Sequence, residues 1–296
     1  MANLKEIRTR ISSVNSTRKI TSAMKMVAAA KLRKAQSAII KMRPYAGKLH
    51  DIMDHVMSSA ESLEENIYRD QRKVEKVLVI IIASNKGLCG AFNANVVKKG
   101  TEIIQEDYPE LFEKGFVDIY TIGKKANDLL NSRKIGVKNS FEKIYDDLNF
   151  KTVSDLAQKI MDQFTNKEYD KVHIIYNQFK NVAVQKLTVE QFLPISLKKD
   201  ENSIPGDYIF EPSEEQIIEQ LIPYSLKIQL YKAILDSHAS EQGARMTAMH
   251  KATDNATDIL KALNLTYNKA RQASITNEIL EIIGGAEALK GQYKVY

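Results

Sequence analysis

The stretch from Ser84 to Asn93, SNKGLCGAFN, has residue types that could bind a phosphate. It follows the apolar run VLVIIIA, and a glycine turn between a buried strand and a helix can present backbone N–H groups to an anion. The glycine spacing does not support this chemistry. Gly87 and Gly90 form G-x-x-G, whereas dinucleotide binding uses G-x-G-x-x-G and a Walker loop ends in G-K-[ST]. We therefore interpret the stretch as a surface loop with Cys89 exposed in it.

The other reactive side chains do not form a known catalytic or metal motif. His50 and His55 are five positions apart and diverge around a helix, while His238 and His250 are twelve apart. Neither H-E-x-x-H nor G-x-S-x-G occurs. A single cysteine excludes an internal disulfide and a cysteine-rich zinc cluster. We expect no catalytic residue, no cofactor and no metal in this chain.

Positive charge is concentrated at the N-terminus. Residues 1–48 carry twelve Lys or Arg and one acid, Glu6, although the whole chain has a net charge of only +6. Such a face is typical of a protein with an anionic partner, and a solvated helix face is the ordinary alternative. Nucleic acid is disfavoured because aromatic residues are absent before Tyr45 and no nucleic-acid module occurs. An acidic protein surface fits this charge at least as well.

Heptad spacing at both ends predicts two long helices. Apolar residues recur in one phase from Leu4 to Val56, which predicts a coiled-coil helix about 80 Å long. A similar series begins at Ile217 and continues to Leu263. We expect Pro44 and Pro223 to kink these helices, and the second helix to end at the glycine pair 284–285.

Polar residues interrupt both heptad series. They are Arg18, Thr21 and Lys25 in the first helix and His238, Gln242 and Arg245 in the second. Placing the two interruptions opposite each other in an antiparallel pair gives partner numbers that add up to 263, so Thr21 faces Gln242. The segment after Ile259 then has no partner within the chain and projects. Its apolar face must pack against another protein or fold back on the middle of the chain.

Between the helices, residues 74 to about 195 alternate predicted strands and helices. Continuous apolar runs such as VLVIIIA are typical of a parallel sheet covered on both faces. A hairpin turning near Lys180–Asn181 predicts an antiparallel strand at one edge. The fold class is therefore α/β, with a long antiparallel coiled coil of the terminal helices and a Rossmann-like domain with a mainly parallel sheet. The predicted domains are 74–197 and, as one discontinuous coiled coil, 1–58 with 211–288.

Three long motifs resemble the γ subunit of F-type ATP synthases. They are LKEIRTRISSVNSTRKITSAMKMVAAAKLRKAQ near the N-terminus, and SEQGARMTAMHKATDNATDIL and YNKARQASITNEILEIIGGAEAL near the C-terminus. The loop NKGLCGAFN is similar to that family's loop as well. The resemblance covers essentially the whole chain, and its motifs occur in the family's order.

The resemblance implies a non-catalytic rotor shaft. In that family the coiled coil passes through a ring of α and β subunits, and the α/β domain meets the ε subunit and the membrane ring of c subunits. Proton flow, or sodium flow in some members, turns the shaft so that ATP is made on β. Partners would therefore be α, β, ε and the c ring, with no nucleic acid and no membrane span of its own.

The resemblance also assigns contact residues. Those that match the region facing an acidic lever of β are Met24, Lys25 and Arg245. Those that match a catch on loops of β and α are Arg271 and Gln272, and those in the loop near β and ε are Lys86 and Cys89. The helix pattern leaves Arg18, Lys25 and Arg245 without acids opposite them, so a partner's acids or a local acid such as Asp236 or Glu241 must balance them.

The sequence also bears on where the protein is located in the cell. The family pattern begins almost at residue 3, which leaves no room for a transit peptide, and no cysteine-bearing insert like that of chloroplast members occurs. We expect a peripheral protein on the cytoplasmic side of a bacterial inner membrane. The alternatives are a coiled-coil scaffold whose α/β domain binds a small ligand, and a basic nucleic-acid binder.

Overall fold

The computed structural model describes residues 4–59, 67–70, 72–195 and 214–292. The chain divides into two compact units, one formed by Met1–Val27 and Ala248–Tyr296 and the other by Ala28–Thr247. We call them the tip unit and the α/β unit. The domain boundaries expected from the sequence, which reach into residues outside the described ranges at 197 and 211, remain predictions.

Six helices and five strands make up the described elements. In chain order they are α1 (Leu4–Ser59), β1 (Val77–Ile82), α2 (Phe92–Asp107), α3 (Pro109–Glu113), β2 (Val117–Ile122), α4 (Lys124–Ser132), β3 (Asn139–Phe141), α5 (Phe150–Thr165), β4 (Lys171–Phe179), β5 (Gln185–Leu193) and α6 (Glu214–Gln292). Short 3-10 turns occupy Ile67–Arg69 and Lys143–Tyr145. The two terminal helices and the α/β alternation between them are those predicted, whereas the short elements α3 and β3 were not.

The sheet has the strand order β3-β2-β1-β4-β5. Strands β3, β2, β1 and β4 run parallel, and β5 pairs antiparallel with β4. All six residues of β1 are buried, as expected for a central strand covered on both faces. The predicted hairpin is confirmed, because β4 ends at Phe179 and β5 begins at Gln185. The fold class predicted from the sequence is correct.

Each face of the sheet has its own apolar core. Helices α2 and α4 cover one face, with buried residues such as Val97, Ile104 and Leu130. The opposite face is covered by α5 and also by the first part of α6, which contributes Ile222, Leu230 and neighbouring residues. The first part of α6 therefore belongs to the core of the α/β unit, a role that its heptad pattern alone did not predict.

Within the α/β unit, α1 also packs against α6. Leu32, Ala35 and Ile39 of α1 form one buried cluster with Leu235 and Ala239 of α6, and Phe179 of β4 closes the cluster. Burial of each leucine, isoleucine or phenylalanine side chain in this cluster stabilises the fold by roughly 1.5–3 kcal/mol relative to leaving it exposed.

The tip unit has an antiparallel helix pair in a register that differs from the predicted one. Its cross-helix contacts are Arg8 with Tyr267, Thr21 with Thr253 and Lys25 with His250. The partner numbers add up to 275, 274 and 275, so the predicted value of 263 is wrong by about three helical turns. The reason lies in α6, because its polar residues around 236–245 are buried inside the α/β unit instead of facing polar positions of α1.

The predicted end of the second helix is also wrong. Helix α6 continues through the glycine pair 284–285 to Gln292. Two glycines cost only about 1 kcal/mol each in a helix, and strong helix formers, Ala286 to Leu289, follow them. Pro44 and Pro223 both lie inside their helices, and the kinks expected at them remain predictions.

Candidate functional site

The glycine loop between β1 and α2 is held from inside by Asn93. The side-chain oxygen of Asn93 accepts a 3.0 Å hydrogen bond from the Ser84 N–H, and its Nδ2 donates to Ser84 Oγ at 2.9 Å. Leu88 and Gly90 both have φ of +62°, a left-handed conformation that costs a leucine more than a glycine. Internal hydrogen bonds therefore fix the conformation of the loop. Leu88 lies on its surface, with 63% of the residue exposed.

Cys89 is buried, so the expectation that it is exposed is wrong. Only 2% of its surface is accessible, and Asn93 Nδ2 lies 3.2 Å from its Sγ. Burial raises the pKa of the Cys89 thiol above its ordinary value. A buried thiol with a raised pKa is a poor nucleophile, so Cys89 supports the loop from within.

The carboxyl ends of β1 and β4 are where an open α/β sheet of this strand order holds a ligand. In this chain α6 packs there. Ser237 of α6 lies 3.5 Å from the carbonyl oxygen of Ile82 at the end of β1. A Cβ added to Gly243 would lie 3.5 Å from the carbonyl oxygen of Val182 after β4, which indicates close helix packing. The chain's own helix thus lies at the place where a Rossmann fold binds its nucleotide.

Arg245 joins α6 to the glycine loop. Its Nη2 donates to the carbonyl oxygen of Lys86 at 2.8 Å and to that of Gly87 at 3.2 Å, while Nη1 donates to Glu241. Arg245 is 9% exposed and Glu241 is 6% exposed. The sequence left the counter-ion of Arg245 open between a local acid and a partner's acid. The structure supplies the local one.

Two aromatic rings lie near Glu241, and Gln242 Nε2 also donates to its carboxylate at 3.2 Å. His238 Nδ1 lies 3.5 Å from the second carboxylate oxygen of Glu241, and the ring of Tyr145 packs against the His238 ring. Burial raises the pKa of Glu241, but its contacts with His238 and Arg245 outweigh burial and hold that pKa below its ordinary value. Glu241 is therefore ionised at neutral pH.

A second buried acid, Asp236, lies one turn and a half before Glu241. It accepts a 2.9 Å hydrogen bond from Arg43 of α1, and Arg43 also donates to the carbonyl oxygen of Phe179. Burial raises the pKa of Asp236 despite the neighbouring Arg43. Asp236 and Glu241 are both local acids of the kind that the sequence had allowed.

Two predicted contact residues lie in the tip unit on α1. Met24 and Lys25 are both half-buried. Lys25 Nζ lies 3.5 Å from His250 Nδ1, and His250 is in turn 3.4 Å from Asp254. The third basic seam residue, Arg18, donates to Asn15 within α1.

Arg271 and Gln272 are exposed on α6, also in the tip unit. Beyond them α6 presents large apolar side chains that are 44–72% exposed in the described part of this unit. They are Ile275, Ile279, Leu280, Ile282 and Ile283. Contiguous exposed apolar surface of this kind marks a site of contact with another protein.

The α/β unit also has a cavity of about 590 Å³ between β3 and α5. Phe141, Ile144 and Leu156 form much of its wall, and Lys143 and Lys159 also line it. Among the described residues, no group of three or more His, Cys, Asp or Glu side chains could hold a metal ion. No helix in the described ranges has both the length and the apolar character of a membrane span.

Sequence reasoning identified the loop and both helices and allowed Glu241 as a local acid for Arg245, but it missed Asn93 as the residue that holds the loop. The signal for Asn93 was its polarity at the start of an otherwise apolar helix face. For Glu241, its spacing of four from Arg245, which places both on one side of a helix, favoured the local acid over a partner's acid.

Comparisons with known proteins agree with this architecture. Residues 3–289 match the family model described as ATP synthase. The ATP synthase gamma chain of Flavobacterium johnsoniae is 56% identical over 98% of this chain and 100% of its own length, and that of Chlorobium limicola is 41% identical over 98% and 100%.

Solved structures share the fold. The central stalk and c-ring structure of Tetrahymena thermophila mitochondrial ATP synthase contains a chain that is 25% identical, with a TM-score of 0.57 over 79% of this chain and 99% of that one. A chain of the Euglena gracilis mitochondrial ATP synthase is 22% identical, with a TM-score of 0.69 over 99% and 96%.

Fold and similarity together define a class of protein, in which terminal helices pair antiparallel and a mainly parallel α/β sheet lies between them in sequence. Members of this class occur in the central stalks of rotary ATP synthases. This chain belongs to the ATP synthase gamma chain family.

Proposed function

We propose that the chain is the rotor shaft of an F-type ATP synthase and couples proton flow through the membrane sector to ATP synthesis. The observation that carries this proposal is 56% identity to an ATP synthase gamma chain across the full length of that relative. Similarity confined to one domain would support only a shared fold. Similarity over both terminal helices and the α/β sheet supports a shared mechanical role.

The chemistry takes place on other subunits in this proposal. ATP forms on the β subunits, and this chain contributes no catalytic residue. Its partners are the α and β subunits around the helices, and the ε subunit and the c ring at the α/β unit. The chain is then a peripheral protein on the cytoplasmic side of a bacterial inner membrane, held there by the complex.

Six of the seven predicted contact residues, all except Arg245, have a place in this proposal that follows from their exposure. Arg271 and Gln272 are exposed and can hydrogen-bond loops of the ring directly, and half-buried Met24 and Lys25 can meet an acidic part of β. The glycine loop is a contact near β and ε. Within it Lys86 is exposed, whereas Cys89 is buried and can act only by supporting the loop.

Copurification tests the proposal. A tagged full-length chain, coexpressed with the α and β subunits of the same genome, should be recovered with both in an ATP-hydrolysing complex. Recovery of the chain alone or with unrelated proteins would contradict it.

Paired variants test the assignment of the ring contacts. Arg271→Ala with Gln272→Ala should lower the yield of the complex or its rate of ATP hydrolysis, because direct hydrogen bonds to the ring are lost. Lys261→Ala is the matched control, since Lys261 is an exposed residue on the same helix whose ammonium group donates to its neighbour Asp258. Equal losses in both variants would count against the assignment.

A further inference from the structure

A buried polar network ties α6 to the glycine loop inside the α/β unit. We call Arg245, Glu241 and the carbonyl groups of Lys86 and Gly87 the clamp. Arg245 donates to all three of its acceptors from the two ends of one planar guanidinium group. Because Arg245 and Glu241 are both nearly inaccessible to solvent, these bonds are stronger than exposed ones of the same geometry.

The clamp requires an arginine. The guanidinium group directs its N–H donors in a rigid planar fork, so that it can serve a carboxylate on one side and two carbonyl oxygens on the other. A lysine at position 245 would keep the charge but has a single ammonium nitrogen. It could not reach Glu241 and both loop carbonyls in the same geometry.

The loop side of the clamp is also fixed by hydrogen bonds. Asn93 bonds the backbone and the side chain of Ser84, and Ser84 Oγ donates to the carbonyl oxygen of Lys86 at 2.7 Å. That same oxygen accepts the bond from Arg245. A continuous chain of hydrogen bonds therefore runs from the start of α2, through the loop, to α6.

The clamp lies near the end of the α/β unit along α6. Arg245 is three residues before Ala248, where α6 passes into the tip unit. A helix that must turn with the α/β unit has to be held against rotation about its own axis near this point. Asp236 with Arg43 and Ser237 with the carbonyl oxygen of Ile82 already hold α6 at earlier positions, and Arg245 adds three directional hydrogen bonds closer to the boundary at Ala248.

We infer that Arg245 is a positioning residue whose clamp locks α6 to the glycine loop, so that torque passes between the α/β unit and the rest of α6. This inference rests on the proposed rotor function. It also assigns Arg245 a role inside the chain, in contrast to its expected direct contact with an acidic lever of β. In this inference, the glycine loop contributes to rotation by holding α6 of the same chain.

The test is the coupling ratio of complexes assembled with Arg245→Lys. In membrane vesicles, ATP-driven proton pumping would be measured by quenching of a pH-sensitive dye and divided by ATP hydrolysed. We expect Arg245→Lys to assemble and hydrolyse ATP while it loses pumping per ATP, because α6 slips against the loop. Arg133→Lys is the matched control, since Arg133 is an exposed arginine of the same unit outside the clamp.

A second variant, Glu241→Gln, tests the clamp if the Arg245→Lys chain fails to assemble into the complex. Glu241→Gln keeps an oxygen acceptor for Arg245 but removes the charge, so it should lower the coupling ratio less than Arg245→Lys. Normal coupling in every clamp variant that assembles would overturn the inference. If the unaltered chain fails to assemble or pump, the proposed function fails instead, so the two failures are distinguishable.

Discussion

At the scale of single residues, the chain uses its few unusual backbone positions to join strands to helices. Gly123 follows β2 with φ of +101°, and a Cβ there would lie 2.3 Å from the carbonyl oxygen of Ala83. Next to it, Asn85 accepts from the Lys124 N–H and donates to the carbonyl oxygen of Glu142. These contacts keep the ends of neighbouring parallel strands together, close to the glycine loop.

Gly123→Ala should destabilise the α/β unit by more than about 2 kcal/mol, because both the left-handed φ and the clash with backbone resist a side chain. The measurement is the free energy of unfolding of the full chain in urea. Gly136→Ala is the control, since no atom lies within 4 Å of its added Cβ and its φ is not positive. A loss for Gly123→Ala no larger than that for Gly136→Ala would contradict the prediction.

Acid should destabilise the α/β unit in part through Asp170. Burial raises the pKa of Asp170, but hydrogen bonds from the backbone N–H groups of Glu75 and Lys76 and from Arg72 outweigh it and hold the pKa below its ordinary value. The unfolded chain then binds more protons in acid, so this stabilisation is present at neutral pH and is lost as pH falls through the folded-state pKa.

Asp170→Asn should therefore lower the free energy of unfolding at pH 7 and flatten its decline below about pH 5, where the carboxyl group of the unfolded chain begins to bind a proton. Urea midpoints measured from neutral pH down into that acid range check this. Asp155→Asn, at an exposed position on α5, should leave the pH profile unchanged. An unaltered slope in Asp170→Asn would contradict the account.

At the scale of elements, heptad spacing predicted both terminal helices, and unalternated apolar runs predicted the parallel sheet. Periodicity could not predict the helix register, because several alignments place apolar residues opposite each other. The deciding information was that Ser237, Ser240 and Gln242 are buried against the α/β unit. That burial depends on the tertiary fold and leaves no periodic mark in the sequence.

The site was predictable to a similar extent. The glycines located the loop in the sequence. Their spacing showed that the loop does not match a phosphate-binding motif. Burial of Cys89 could not be foreseen, because it depends on Asn93 reaching back under the turn. The partner of Arg245 could not be chosen either, since a local acid and a partner's acid satisfy the same charge.

Cysteine cross-linking tests the register of the tip unit. Thr21→Cys with Thr253→Cys should form a disulfide on mild oxidation, because the two hydroxyl oxygens are 2.8 Å apart. Ser13→Cys with Thr253→Cys is the control, displaced along α1 by eight residues or about 12 Å. Linkage of the control pair at an equal rate, or no linkage of the first pair, would disprove the register.

The exposed end of α6 should matter for assembly and not for folding of the α/β unit. Deleting residues 274–296 removes Ile275, Ile279 and Ile283 from the tip unit, which are at least 44% exposed in the free chain. We expect the truncated chain to bind the α and β subunits more weakly while the α/β unit unfolds at the same urea concentration. A shifted unfolding midpoint would show that this segment supports the chain's own core.

At the scale of the whole molecule, the chain has two compact units, an α/β unit and a unit formed by the two ends of the chain, and α1 and α6 each contribute residues to both. A scaffold protein could share the helices, and a ligand-binding protein could share the sheet. The similarity to one family extends over residues 3–289 and so includes both the helices and the sheet. It therefore favours the rotor function over a scaffold or a ligand-binding protein. Membership in that family places the chain in the ATP synthase complex.

Rotation is the central claim, and single-molecule observation tests it most directly. A complex held to a surface through its β subunits would carry a bead on a cysteine introduced at the exposed Lys114. Buried Cys89 should not compete for the label. On addition of ATP, the account predicts continuous rotation of the bead in one direction. A bead that stays fixed, or only fluctuates, on complexes that hydrolyse ATP would contradict it.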